Sequence, residues 1–297
     1  MAVASTGVIG VPLPLPKVLA GIRQAAAALA PQGEDAARAI LTTDTFIKQA
    51  SFQIKVGGTR TGGTLVTIGG MAKGSGMIHP NMATMLAFLT TDAAVQPDAW
   101  QRALRRVAER TFNRITVDGD TSTNDMVLGL ANGMADNAPL DEDSQDWAAF
   151  LNGLEEVARS LARDIARDGE GATRLLEVVV RGAADEGEAA TVARTVAGSS
   201  LVKTAVHGAD ANWGRVLAAA GRSGVPVDPE RISIWIGPVQ VAVGGRGVDF
   251  DETRARRVLE QETVTIALDL GRGGAEAIAF GCDLSARYVE INASYRT

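Results

Sequence analysis

The chain has 297 residues, 46% of them hydrophobic, enough for one large domain or two ordinary ones and too apolar for wholesale disorder. With 29 basic and 35 acidic residues the net charge is −6, and aromatics make up only 4%, which excludes a general nucleic-acid binder with its positive field and stacking platforms. The single cysteine, Cys282, forbids an intrachain disulfide and fits a reducing, cytoplasmic setting.

Together with His79 and His207 that cysteine is a poor ligand set for structural zinc, and no Asp/Glu run has calcium-loop spacing, so no metal is expected. No apolar run approaches the length of a membrane span, and the first residues lack the basic leader of a signal peptide.

In chain order, Ser5-Thr6-Gly7 is a small polar step before the proline-interrupted Val8 to Pro16, which predicts extended backbone. Lys17 to Leu29 reads as a helix with Pro16 at its first turn and Pro31 beyond its end, and Glu34 to Leu41 as a second, short one. Thr42-Thr43-Asp44 is a hydroxyl-rich corner. Phe52, Ile54 and Val56 alternate with polar residues, and Leu65 to Ile68 follows a glycine loop, which predicts a hairpin.

The stretch from Gly69 to Ala93, GGMAKGSGMIHPNMATMLAFLTTDA, organises the chain. It reads as a glycine-rich polar loop carrying Lys73, then Ala83-Thr84, then an apolar run from Met85 to Leu89 that predicts a buried strand. GGMAKGSG is either an ordinary turn or a functional loop. It is not a Walker-type phosphate loop, since no Ser or Thr directly follows a Gly-Lys pair, and no GxGxxG occurs in the chain. Thr84 is either a strand threonine or a nucleophile held where a loop meets a rigid element.

Asp98 to Phe112 reads as an amphipathic helix and Ile115 to Val117 as a short strand. The loop Asp118 to Asp125, dense in carboxylates and hydroxyls, reads as a solvated turn or as a loop orienting active-site groups. Met126 to Leu130 is a strand candidate, and Ser144 to Arg167 the longest helix, with Ser144 as its N-cap. Glu170 stands between two glycines after that helix, either within a cap or as a functional carboxylate.

Beyond Thr173 the pattern gives a strand at Leu175 to Val180, a helix at Glu186 to Val196, a strand at Leu201 to Val206 and a helix at Trp213 to Ala220. A hairpin over Ile232 to Val243 follows, then a helix at Asp251 to Glu262 and strands at Val264 to Leu270 and Ala275 to Phe280. Mixed elements with recurring hairpins predict layered α+β sheets rather than a doubly wound parallel sheet. The change of rhythm near Thr173 divides the chain into 1–173 and 174–297.

The Gly69–Ala93 stretch closely resembles the self-cleaving segment of the ornithine acetyltransferases, also called bifunctional glutamate N-acetyltransferases. STGVIG at Ser5–Gly10, TTDT at Thr42–Thr45, VDGDTSTND at Val117–Asp125, LVKTAVHGADANWGR at Leu201–Arg215 and YVEINASYRT at Tyr288–Thr297 also resemble motifs of that family, in family order. The resemblance implies an αββα-type layered sandwich forming a main catalytic domain over 1–173, with a smaller C-terminal α/β domain. It implies acetyl transfer from N-acetylornithine to glutamate in the cyclic route to arginine, with acetyl-CoA as a donor for some members and no cofactor.

It further implies self-cleavage between Ala83 and Thr84, giving fragments 1–83 and 84–297 that associate two of each. Thr84 would be the nucleophile and Thr6 and Gly7 the oxyanion hole, with Thr42, Lys73, Glu170, Asn292 and Thr297 contacting substrate alongside Thr84. His207 and Ala211 depart from the family's usual aromatic and proline. Family precursors carry a long segment before STGVIG, so the main domain is expected to be incomplete at its N-terminus and the chain alone poorly active. The alternatives are a threonine-nucleophile amidohydrolase of related fold and an inactive fragment needing a partner segment.

Overall fold

The computed structural model describes residues 3–31, 33–57, 63–79 and 85–294. Helices α1 (Leu15–Ala27) and α2 (Glu34–Ala39) precede strands β1 (Lys48–Val56), β2 (Thr64–Lys73) and β3 (Leu86–Thr91). Helix α3 (Pro97–Arg110) and a 3-10 turn lead to the short β4 (Ile115–Thr116), to β5 (Met126–Ala131) and to the long α4 (Trp147–Arg167). Then come β6 (Leu175–Ala183), α5 (Glu186–Ala197), α6 (Ser200–His207) and α7 (Trp213–Gly221). The chain continues through β7 (Ser233–Ile236), β8 (Val239–Val243), β9 (Arg246–Gly247), α8 (Glu252–Leu259), β10 (Thr263–Asp269), β11 (Ala275–Cys282) and α9 (Ala286–Asn292).

These elements form a four-stranded sheet, β1-β2-β3-β5, and a seven-stranded one, β4-β11-β6-β10-β7-β8-β9. Helix α4 lies between them. Leu154, Val157, Leu161 and Ile165 fall at helical spacing and are fully buried. Gly153 lets Phe52 and Ile68 of the first sheet approach the helix closely, and Gly70 of β2 does the same for Leu161 and Val157. On the second sheet Leu175, Ile278, Phe280 and Cys282 pack toward α4, while the alternate positions Leu176, Val178, Ala277 and Ala279 pack in the core with α5. That period-two division is what a strand buried on both faces requires. The layered α+β architecture read from the sequence is the one the chain adopts. β4, from the first half of the chain, is an edge strand of the second sheet, paired in parallel with β11.

Several local expectations are corrected. Leu201 to Val206 is helical, within α6, because its apolar residues follow helical rather than strand spacing: Val202, Ala205 and Val206 are buried while Leu201 and Thr204 are exposed. Gly69 to Lys73 is the end of β2 rather than loop, paired residue for residue with β3. Ser144 does not cap α4, whose N-cap is Asp146. The Ser144 hydroxyl donates to Asp141 Oδ1 at 2.7 Å and accepts the Asp141 N–H, closing a tight turn just upstream. After β11 comes α9, unforeseen in the sequence, with Ser285 as its N-cap accepting the Arg287 N–H.

Candidate active site

The site grows from the end of β2. Lys73, its last residue, is buried, and its Nζ donates to Thr42 Oγ1 at 2.7 Å, 4.0 Å from Asp44 Oδ2. Asp44 is a junction. Its Oδ1 accepts the Lys48 ammonium at 2.7 Å and the Gly74 N–H at 2.7 Å, and its Oδ2 accepts the Thr42 N–H at 3.2 Å. Lys48, wholly buried, also donates to Asp168 Oδ2 at 2.5 Å. Asp168 further accepts the N–H and the hydroxyl of Thr45. The TTDT corner is therefore pinned to the end of α4 and to the β2 terminus by two carboxylates sharing one lysine.

Burial pushes the Asp44 carboxyl up, but the Lys48 ammonium and the Gly74 and Thr42 N–H groups outweigh it and hold Asp44 below the usual carboxylate range. Burial pushes the Lys73 ammonium down. Asp44 opposes that shift most, Lys48 adds to it, and Asp125 and Glu170 oppose it more weakly. Lys73 thus sits within the field of three carboxylates from three separate stretches of chain.

The segment after Lys73 is held as firmly. The Ser75 hydroxyl donates to the Asp168 carbonyl at 2.6 Å, and the Glu170 N–H donates to the Ser75 carbonyl at 3.1 Å. The Met77 backbone is left-handed, with φ 55°, a conformation costing a non-glycine residue about 1 kcal/mol or more. Asp118 compensates by accepting the N–H of Met77 at 2.5 Å and of Ile78 at 2.9 Å. Burial nonetheless raises the Asp118 carboxyl above its ordinary value. His79 Nε2 is 2.8 Å from the Arg194 guanidinium, which can only donate, so Nδ1 carries the proton toward Thr116 Oγ1 at 2.9 Å. Burial, then Arg194, keep that imidazole neutral.

Glu170 is buried and accepts the Asn292 amide at 2.9 Å. It lies so close to Gly76 that a Cβ there would stand 2.4 Å from its carboxyl carbon. Gly76 is therefore the residue that admits Glu170. Asp125, just before β5, has its carboxyl oxygens buried, and burial raises it to about 8.

Of the residues singled out in the sequence, Thr42 and Lys73 meet directly, Glu170 meets Asn292, and the Glu170 charge reaches Lys73. Thr6 and Gly7 lie on an exposed stretch ahead of α1, and among the described residues no hydrogen bond joins either to Lys73, Thr42 or Glu170. Ala83, Thr84 and Thr297 lie outside the described residues. Among the described residues no three His, Cys, Asp or Glu side chains gather to hold a metal ion.

Sequence reasoning assigned no role to Lys48, Asp168 or Gly76, and read Asp118 only as part of a solvated turn or a loop orienting active-site groups. A lysine one turn after Asp44 and a glycine three residues after Lys73 were the only signals for two of them.

A family model described as the ArgJ family matches residues 1–297, the whole chain. This chain belongs to the ArgJ family. An arginine biosynthesis bifunctional protein ArgJ of Symbiobacterium thermophilum is 59% identical over 298 residues, covering 100% of this chain and 73% of that protein. The ArgJ of Oceanobacillus iheyensis is 54% identical over 297 residues, covering 100% and 72%. A crystal structure of the Bacillus halodurans ArgJ is 50% identical with a TM-score of 0.70, over 71% of this chain and 100% of that one. The Lys73, Asp44 and Glu170 cluster is thus part of an ArgJ family protein. Among the described residues no helix is long and apolar enough to cross a membrane.

Proposed function

We propose that this chain transfers an acetyl group from N2-acetyl-L-ornithine to L-glutamate through an acetyl-Thr84 intermediate. The observation that carries the reading is the buried Lys73 ammonium and Glu170 carboxylate, converging at the β2 terminus in a family whose relatives are named for arginine biosynthesis. A substrate with an α-carboxylate and a side-chain ammonium is complementary to that pair of charges.

The chain cuts itself between Ala83 and Thr84. The new α-amine of Thr84, with a pKa of about 7.7–8.0 in model peptides, takes the proton of the Thr84 hydroxyl as Oγ attacks the acetyl carbonyl. The oxygen of the tetrahedral intermediate is met by the Thr6 hydroxyl and the Gly7 N–H, each such donor being worth about 3–4 kcal/mol. The carbon–nitrogen bond breaks, and the amine returns its proton to the departing ornithine. Glutamate then attacks acetyl-Thr84 by the same steps in reverse.

Lys73 pairs with the substrate α-carboxylate, held by Thr42 in a ready orientation. Glu170 meets the ornithine ammonium, and Asn292 keeps its carboxylate in place. Thr297 completes the substrate contacts. Acetyl-CoA serves as a second donor, and fragments 1–83 and 84–297 assemble as two of each. The crystallised Bacillus halodurans chain, matched in full by 71% of this one, has the size of the longer such piece.

The test is acetyl transfer from N-acetylornithine with and without glutamate, read with the intact mass. Glutamate-dependent N-acetylglutamate formation by a chain cut before Thr84 is the expected result. Acetate released at equal rates with and without glutamate would overturn the transferase reading.

A further inference from the structure

Glu170 stands between Gly169 and Gly171, and glycine has the widest backbone freedom of any residue, so its own stretch of chain does little to fix where the carboxylate points. A group that selects a ligand by charge has to be held to within about 0.5 Å, so the fixing must come from outside that stretch. On its N-terminal side Asp168 supplies it, tied to Lys48 and Thr45.

On its C-terminal side the anchor is Asp283, directly after β11, whose buried carboxylate takes four donors. Oδ1 accepts the N–H of Thr173 at 2.7 Å and of Arg174 at 2.9 Å, and Oδ2 accepts the Thr173 hydroxyl and the Nδ1–H of His207, both at 2.7 Å. The Asp283 N–H in turn donates to the Arg174 carbonyl at 3.2 Å. Burial pushes the carboxyl up, but the Thr173 hydroxyl, His207 and the two backbone N–H groups outweigh it and hold Asp283 below the usual carboxylate range.

The stretch that begins at Asp283 also reaches Glu170 itself. The Ser285 hydroxyl donates to the Gly171 carbonyl at 2.5 Å and, as N-cap of α9, accepts the Arg287 N–H. Gly171 is left-handed, with φ 72°, and a Cβ there would stand 2.5 Å from the Tyr288 nitrogen. Asn292, at the end of α9, donates to the Glu170 carboxylate. Two short stretches, Glu170 to Arg174 and Asp283 to Asn292, are therefore clamped together, with Asp283 at the base and Asn292 at the carboxylate. Opening the base lets the glycine-flanked Glu170 drift away from Asn292.

We propose that Asp283 is a specificity-positioning residue: by holding Thr173 and Arg174 against the stretch that carries Asn292, it fixes the Glu170 carboxylate where it discriminates a substrate with a side-chain ammonium from one without. This rests on the reading above that Glu170 meets the ornithine ammonium, and adds to it the group that makes the meeting selective. Asp283 touches neither substrate nor reacting atoms.

The experiment compares N-acetyl-L-ornithine with N-acetyl-L-norvaline, which has the same carbon skeleton and no side-chain ammonium, as acetyl donors to glutamate. The readout is the ratio of their kcat/KM values, from which the fraction of active protein cancels. Calorimetric binding of L-ornithine against L-norvaline gives the corresponding ratio without turnover. In Asp283→Ala both ratios should fall by about tenfold or more, the size of one lost charge-assisted contact, through weaker binding of the ornithine compounds. Asp283→Asn keeps an oxygen for the two backbone N–H groups and should restore most of the preference. His207→Phe leaves the contacts to Thr173 and Arg174 in place and should keep all of it. Should Asp283→Ala fail to fold, Asp283→Ser takes its place, with a hydroxyl for the buried donors but too short to hold both residues.

A residue that only supports the fold would lower the values for both compounds in proportion, and unchanged ratios in the alanine or serine variant would overturn the role of Asp283 while leaving the acetyltransferase reading intact. A wild type that does not prefer the ornithine compounds would overturn the pairing of Glu170 with the ammonium and this inference with it. A wild type that prefers ornithine in binding but transfers no acetyl group would overturn the acetyltransferase reading, and the binding ratios alone would then decide on Asp283.

Discussion

The Cα hydrogens of Gly76 face the carboxyl group of Glu170, and a methyl placed there would come within 2.4 Å of its carboxyl carbon. Glu170 is buried and its carboxylate accepts the Asn292 amide. Gly76→Ala therefore has to displace Glu170 from Asn292. The expected outcome is overpacking of about 1–3 kcal/mol in urea unfolding, together with a fall in acetyl transfer that exceeds that of an alanine at exposed Gly274. Equal activity in both variants would show that Glu170 is free to move.

Lys48 holds Asp44 and Asp168 together in the interior. Lys48→Met leaves Asp168 without its cation and Asp44 with only the more distant Lys73. Breaking such a group by removing one member costs about 3–5 kcal/mol, to be read as a lower urea midpoint at pH 7 with an unchanged slope.

The depressed Asp44 carboxyl has a pH signature of its own. Its stabilisation is present above its unfolded pKa, near 3.8, and is lost as pH falls through its lower folded value. Thermal unfolding of the wild type should therefore weaken below pH 4 more steeply than that of Asp44→Asn. Parallel curves for the two proteins would remove Asp44 from the account.

Asp125 has the opposite sign. Its folded carboxyl, raised to about 8, keeps a proton that the unfolded chain loses near pH 4, so the wild type loses stability as pH climbs from about 4 to 8. In an uncut Thr84→Ala background, Asp125→Asn should raise the melting temperature, by more at pH 8 than at pH 5. A gap that does not widen with pH would mean that the carboxyl is not protonated in the uncut chain.

Lys73→Ala removes the ammonium that Thr42 orients. A charge-assisted contact to substrate is worth about 1.5–3 kcal/mol, so kcat/KM for N-acetylornithine should fall roughly 10- to 150-fold. An unchanged value would reduce Lys73 to a structural lysine.

Much of this was legible in the sequence, for reasons that differ by residue. The buried strand from Leu86 and the long α4 announce themselves by apolar period, because a strand or helix packed on a core must place its apolar residues at the element's own repeat. Lys73 and Thr42 could be named through motif resemblance, yet their contact across 31 positions is a product of tertiary pairing. The same holds for Lys48 with Asp168, 120 residues apart. No local pattern records that a lysine alternating along β1 faces inward to join two aspartates. Leu201 to Val206 misleads because two valines in a six-residue run favour strand by propensity, while packing of Val202, Ala205 and Val206 against one core selects helix.

β2 and β3 are hydrogen-bonded neighbours over Ile68 to Lys73 and Leu86 to Thr91, and the peptide bond before residue 84 lies on the connection between them. A cut there puts adjacent strands of one sheet on different molecules, while Val66, Ile68 and Ala72 remain buried in the same core as Leu89, Leu154 and Leu161. Neither piece then carries a complete core. Refolding becomes a second-order reaction, in which the melting temperature of the processed protein rises with its concentration and that of uncut Thr84→Ala does not. In the proposed self-cleavage the covalent bond that makes the chain easy to assemble is the one given up to make it reactive, so folding precedes the cut.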